Sequence, residues 1–168
     1  CDVSQTKSIK SAIKKIKLTP DVFIYSSVIR PVQNNKLENL DKWKLSINYN
    51  ASSLHITSSL FSDLMKKNGG GSVIIVSSIY GIRAPDQNLY TGTKMFTESD
   101  YPFLKGGSII YSNYMASKYG KYNIRFNVIA PGGLDDNFAV PKFKKRYIKK
   151  VKINITIWTI FFLLIYPS

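Results

Sequence analysis

Short apolar runs alternate along this chain with longer stretches of helical periodicity. Residues 8–17 (SIKSAIKKIK) set Ile9, Ala12, Ile13 and Ile16 three and four positions apart with lysines between them. That spacing predicts an amphipathic helix with its apolar stripe inward and its lysines in solvent. CDVS (1–4) reads as the end of a strand, with Ser4 as the N-cap of this helix. DVFIYSS (21–27) is a short apolar run of the kind a buried strand makes. RPVQNNKLENLDKWK (30–44) is polar and turn-rich, and LSINYNASSLHITSSLFSDLMKK (45–67) recovers helical periodicity. NGGG (68–71) ends that helix by supplying residues free to take positive φ.

SVIIVSS (72–78) predicts a second buried strand, and residues 79–100 form a long irregular stretch. Loops of that length in compact domains are usually functional or disordered. YPFLKGGSIIYSNYMASKYGKYN (101–123) predicts a helix, with Ser99 or Asp100 as cap and Pro102 tolerated in the first turn. NIRFNVIA (123–130) is a third strand, closed by PGG. Strands and helices alternate, and the strands are apolar throughout. This is the pattern of an α/β fold with a parallel sheet covered on both faces.

At 168 residues and 44% hydrophobic the chain has about one domain's length and ample core material. The net charge of +14 raises nucleic acid or an acidic membrane surface as partners. The lysines are dispersed, however, with one dense group in KFKKRYIKKVK (142–152), and a solvated helix face accounts for the first group. A single cysteine, Cys1, excludes a disulfide within the chain. The lone histidine, His55, has no partner arrangement, and no G-x-S-x-G surrounds a serine, so a hydrolase triad has no support. The opening on Cys in mid-pattern predicts a piece of a longer protein. The apolar stretch from Ile153 to Tyr166 is interrupted by Asn154, Thr156 and Thr159. It falls short of the roughly 20 residues that span a bilayer, so residues 151–168 read as a hydrophobic tail of altered origin rather than an anchor.

Chemistry enters with two tyrosine–lysine pairs, Tyr101/Lys105 and Tyr114/Lys118. Each is spaced four apart, so both side chains share one helix face. An ammonium beside a phenol favours the phenolate and makes the tyrosine a poised proton donor.

The ordered series CDVS, INYNAS, IIVSSIYG, YPFLK and NIRFNVIAPGG resembles the short-chain dehydrogenase/reductase family, from Cys1 to about Gly133 and up to Lys150. The resemblance implies a Rossmann-like, doubly wound parallel sheet, incomplete with its central strands retained, over a domain at residues 1–150. In that fold the chain leaving the catalytic lysine must cross the sheet before re-entering it. A crossover needs at least roughly 10–12 residues. Lys118 leaves too few before Ile124, so Tyr101 and Lys105 are the expected catalytic pair.

The same resemblance places the catalytic serine at Ser78 and the helix-borne asparagine at Asn48, with Asn50 as the competitor. It implies that Tyr101 is the general acid towards a carbonyl oxygen, that Lys105 holds the nicotinamide ribose, and that Asn48 holds a relay water. Asp2 would contact adenine, and Pro131 and Gly132 would line the nicotinamide pocket. The implied cofactor is NAD or NADP, and the implied substrate a small alcohol or carbonyl compound. The full-length form would be a cytoplasmic homo-oligomer, with neither nucleic acid nor membrane as partner. Two features depart from the family pattern. IYSSVIRP stands where Asn-Asn-Ala-Gly is expected, and the Gly-rich phosphate loop after a first strand is missing. A non-catalytic remnant serving dimerisation is the alternative, followed by a basic surface binder using KFKKRYIKKVK.

Overall fold

The computed structural model describes residues 1–30, 39–133, 140–151 and 162–163. Three parallel strands, β1 (Val22–Tyr25), β2 (Gly71–Val76) and β3 (Ile124–Ile129), lie side by side in chain order. Each connection carries a helix: α2 (Asn39–Lys67) between β1 and β2, and α3 (Asp100–Tyr119) between β2 and β3. An amphipathic helix, α1 (Thr6–Lys14), precedes the sheet, and α4 (Pro141–Val151) follows it. A two-residue strand, β4 (Phe162–Leu163), pairs antiparallel to β3, with Ile129 opposite Phe162. The rest of the expected 151–168 tail lies outside the described residues.

The register sets which side chains share a face. Phe23, Val73 and Phe126 stand in one row across the sheet, and Tyr25, Ile75 and Val128 in the next. These residues face α2 and α3 and form the core with Leu54, Met65, Met115 and Tyr119. Phe126, Met65 and Met115 are sealed from solvent. Burial alternates along β2 and β3, as the two-residue period of a strand dictates. The opposite face carries Ile24, Ile74 and Asn127, and no described helix core covers it.

Several sequence expectations are corrected. CDVS is a turn rather than a strand end: Asp2 Oδ1 accepts from Ser4 N at 2.9 Å and from Ser4 Oγ at 2.7 Å. Ser4 is therefore engaged with Asp2, and Gln5 stands at the N-cap of α1 without a side-chain cap bond. Ile9 is buried as expected, but Ile16 lies beyond the helix end and is exposed. Helix α2 starts six residues before its apolar periodicity, taking in Asn39–Lys44 from the polar stretch. Gly69 and Gly70 adopt φ of 88° and 135° and end it, as NGGG implied.

Strand β1 forms the sheet edge among the described residues, with Val22 and Ile24 half or more exposed. An unpaired apolar edge is a template for association with another chain. Ile24→Lys is expected to suppress aggregation of the 168-residue chain, read by light scattering at rising concentration. Its stability should stay within about 0.5 kcal/mol of the parent, because the side chain is already at the surface.

Candidate active site

In a parallel sheet all strands end at the same edge, so the loops that follow them converge. Ligands in open α/β sheets bind in that crevice. Here the loops are Ser26–Arg30 after β1, Ser77–Gly81 after β2 and Ala130–Gly133 after β3. A cleft of about 460 Å³ opens beside the first two, lined among others by Ser27, Arg30, Asn50, Tyr101 and Lys105.

Tyr101 sits in the first turn of α3, and Lys105 follows one turn later. The Lys105 Nζ lies 5.7 Å from the centre of the Tyr101 ring and donates to Val76 O at 2.8 Å. Burial holds the Lys105 ammonium below the ordinary lysine pKa, and the positive charge of Arg30 adds to the effect. The competing pair lies elsewhere: Tyr114 and Lys118 are exposed farther along α3.

The turn after β2 is clamped onto α3. Ser77 Oγ donates to Lys105 O at 2.7 Å, and Gly81 packs against the Lys105 backbone so closely that a Cβ there would stand 2.7 Å from its carbonyl oxygen. Ser78 is buried between them and accepts from Tyr80 N at 3.2 Å, which leaves its O–H free to donate. Ser78 does not line the cleft itself. Its neighbour Tyr80 sets its ring edge-on to Tyr101, with centroids 6.5 Å apart. The Tyr80 hydroxyl is bonded to that of Tyr90 at 2.9 Å, and Tyr90 to Thr97 Oγ1 at 2.8 Å. Burial, then the bond to Tyr90, pushes the Tyr80 phenol above its ordinary pKa, so it remains protonated.

The structure places the two candidate asparagines differently. Asn48 is exposed and accepts only a long bond from Ser52 Oγ at 3.5 Å. Two residues later the helix has turned by about 200°, and it is Asn50 that faces the cleft. Its amide closes a two-way bridge with the loop after β1: Ile29 N donates to Oδ1 at 2.8 Å, and Nδ2 donates to Ile29 O at 2.9 Å. A bond from Nδ2 to Ser46 O at 3.0 Å uses the remaining donor. The Asn50 side chain is thus committed to the loop and to its own helix. Ser46 Oγ in turn donates to Asp100 Oδ2, tying α2 to the start of α3.

The cofactor residues implied by sequence fall in two places. Pro131 O accepts from Ile79 N at 2.9 Å, so the Pro131–Gly133 loop lies against the serine turn. Tyr147 of α4 supports that loop, its hydroxyl accepting from Gly133 N at 2.8 Å and lying where a Cβ on Gly132 would meet it at 3.2 Å. Asp2 is exposed in its own turn, where the bonds from Ser4 hold its carboxyl below the usual range, and it does not line the cleft.

Sequence reasoning missed Arg30, Tyr80 and Tyr147. The guanidinium of Arg30 lies 4.5 Å over the Tyr101 ring. Its position directly after a strand of a parallel sheet was the available signal.

A parallel sheet with helical crossovers and a cleft at its strand ends defines a Rossmann-like α/β protein. The short chain dehydrogenase family model matches residues 1–146, and the chain belongs to that family. It is 33% identical over 118 residues to the 3-oxoacyl-(acyl-carrier-protein) reductase of Chlamydia trachomatis, covering 68% of this chain and 43% of that protein. It is 32% identical over 103 residues to the post-translational flagellin modification protein A of Campylobacter coli, covering 60% and 40%. Among solved structures, a short chain dehydrogenase from Leptospira borgpetersenii with bound NAD+ superposes with a TM-score of 0.75 at 25% identity, over 89% of this chain and 58% of that one. The chain thus spans about two fifths of the length of these two curated relatives. No helix among the described residues is long and apolar enough to cross a membrane.

Proposed function

We propose that this chain carries the reaction end of an NAD- or NADP-dependent oxidoreductase that moves a hydride between nicotinamide and the carbon of a small alcohol or carbonyl compound. The observation that carries this reading is the convergence of the Tyr101 phenol and the Lys105 ammonium on one cleft at the strand ends, fixed there by Asn50 and the Ser77–Gly81 turn. The donor set fits the nicotinamide end of the cofactor. Lys105 has three N–H donors and spends one on Val76 O, leaving two for ribose hydroxyls. The sequence has no Gly-rich turn between a strand and a helix for the pyrophosphate, so the fit extends to that end only.

Bound nicotinamide supplies or accepts the hydride. Tyr101 gives its proton to the carbonyl oxygen in reduction and takes it back in oxidation. Lys105 stands beside the Tyr101 ring, its Nζ 5.7 Å from the ring centre, and uses its free N–H donors on the nicotinamide ribose. Ser78, whose O–H is unspent but which does not line the cleft, is retained as a hydrogen-bond donor to the same substrate oxygen on the strength of the family resemblance. Asn50, in place of Asn48, keeps the loop after β1 closed against α2. Asp2 is retained as the adenine contact only on the strength of the family resemblance.

Phe103, Ile110 and Tyr114 are exposed apolar side chains on α3 and support a homo-oligomer of the full-length form. The domain is taken as residues 1–150 and its compartment as the cytoplasm. The test is transfer of deuterium from NADH or NADPH, deuterated at the nicotinamide C4, to the carbonyl carbon of a product, in the full-length gene product and followed by mass spectrometry. Transfer that falls by roughly 10²-fold or more in Lys105→Ala supports the reading. No transfer from either cofactor, or an unchanged rate in the variant, overturns it.

A further inference from the structure

Among the described residues, Arg30 is the one cation placed over the Tyr101 ring from outside its own helix. It is exposed at the mouth of the cleft, with its guanidinium 4.5 Å over the Tyr101 ring. With the guanidinium carbon over the ring face, the group brings five N–H donors to the mouth of the cleft. Among the described residues no acceptor takes them and no carboxylate pairs with them. Glu98 and Asp100 also border the cleft, but Asp100 accepts from Ser46 Oγ.

The guanidinium is held in place by its neighbours. Ile29, the preceding residue, is clamped at both its N–H and its C=O by the Asn50 amide. The Tyr101 ring beneath is fixed by the start of α3 and by the edge of Tyr80. The half-buried Lys105 ammonium stands 5.7 Å from the centre of the same ring, close enough to Arg30 for the two charges to repel. Two cations around one phenol, with the outer one unpaired among the described residues, leave a place for an anion. A carboxylate matches the guanidinium fork with two parallel hydrogen bonds.

We propose that Arg30 is a specificity-determining residue that binds a carboxylate of the substrate, so that this cleft takes oxo or hydroxy acids in preference to uncharged carbonyl compounds. The proposal rests on the oxidoreductase reading for its carbonyl. The anion subsite itself stands on the geometry of Arg30.

The experiment titrates the 168-residue chain with pyruvate and with pyruvamide, which has the same shape without the charge. Binding is followed by NMR at the arginine Nε–H resonances, with Arg30→Ala supplying the assignment. Circular dichroism confirms that the variant, altered at an exposed position, keeps its fold. Pyruvate is expected to bind about 10–100-fold more tightly than pyruvamide, moving the Arg30 signal. The preference should vanish in Arg30→Ala and return in part in Arg30→Lys. Undetectable pyruvate binding, equal affinities, or a preference that survives in Arg30→Ala overturns the inference. The two readings fail separately. Deuteride transfer without a preference for the acid removes the Arg30 subsite alone. Arg30-dependent pyruvate binding in a protein without hydride transfer removes the oxidoreductase reading alone.

Discussion

Replacing Tyr101 by Phe is expected to slow hydride transfer in the full-length gene product by roughly 10²–10⁴-fold, the range typical of losing a positioned general acid. The ring contacts need no hydroxyl. Arg30 stacks on the ring face at 4.5 Å and Tyr80 meets it edge-on, so both contacts persist in the variant. The thermal midpoint should therefore stay near that of the parent while kcat collapses. KM should change little, because the lost group acts on the oxygen where charge develops rather than on substrate binding. Tyr114→Phe is the matched comparison. That residue carries the other four-spaced lysine but is exposed on the far part of α3, and its removal should leave turnover unchanged. Parent-like turnover in Tyr101→Phe, or a collapse in Tyr114→Phe, would reverse the choice between the two pairs.

The expectation of Tyr101 and Lys105 came from the family's topology and from chain length, and neither needs coordinates. The same holds for the three strands, each a short apolar run bounded by turn residues, and for the glycine stop after α2. Detail failed where the decisive quantity was rotation about a helix or the path of a loop. Asn48 and Asn50 are two residues apart in a polar segment whose periodicity does not say which one faces inward, and it is the bonding to Ile29 that sets Asn50 on the cleft. The start of α2 was invisible for a related reason: Asn39–Lys44 is helical without an apolar stripe. Ser4 shows local competition. A serine that suits an N-cap instead satisfies Asp2 two residues back. Arg30 was passed over because a single arginine in a polar stretch carries no pattern. Its meaning comes from Asn50 pinning the residue before it.

Gly81 connects stability to geometry and gives the second large effect. Its backbone lies against Lys105 with no room for a methyl group, since a Cβ would stand 2.7 Å from both the carbonyl carbon and the carbonyl oxygen. The obstacle is helix backbone, which has no rotamer to change. Gly81→Ala must therefore push the turn and α3 apart. Such overpacking costs typically about 1–3 kcal/mol, and at this chain length each kcal/mol lowers the melting temperature by about 2–4 °C. The displacement falls between Ser78 on the turn and Tyr101 and Lys105 on the helix. The Ser77 hydroxyl that bonds Lys105 O at 2.7 Å is stretched by the same movement. A misplacement on the order of 1 Å can cost about 10²-fold in rate, so activity should fall further than the loss of folded protein explains. Gly107→Ala on the same helix separates this clash from glycine loss in general. A Cβ there meets nothing within 4 Å, and the helix should gain about 0.5–1 kcal/mol. Thermal melts of the two variants, read beside their turnover per folded molecule, decide the matter. An unchanged melting temperature in Gly81→Ala would mean that the serine turn is not wedged on α3, and the joint placement of Ser78 with the tyrosine–lysine pair would lose its structural basis.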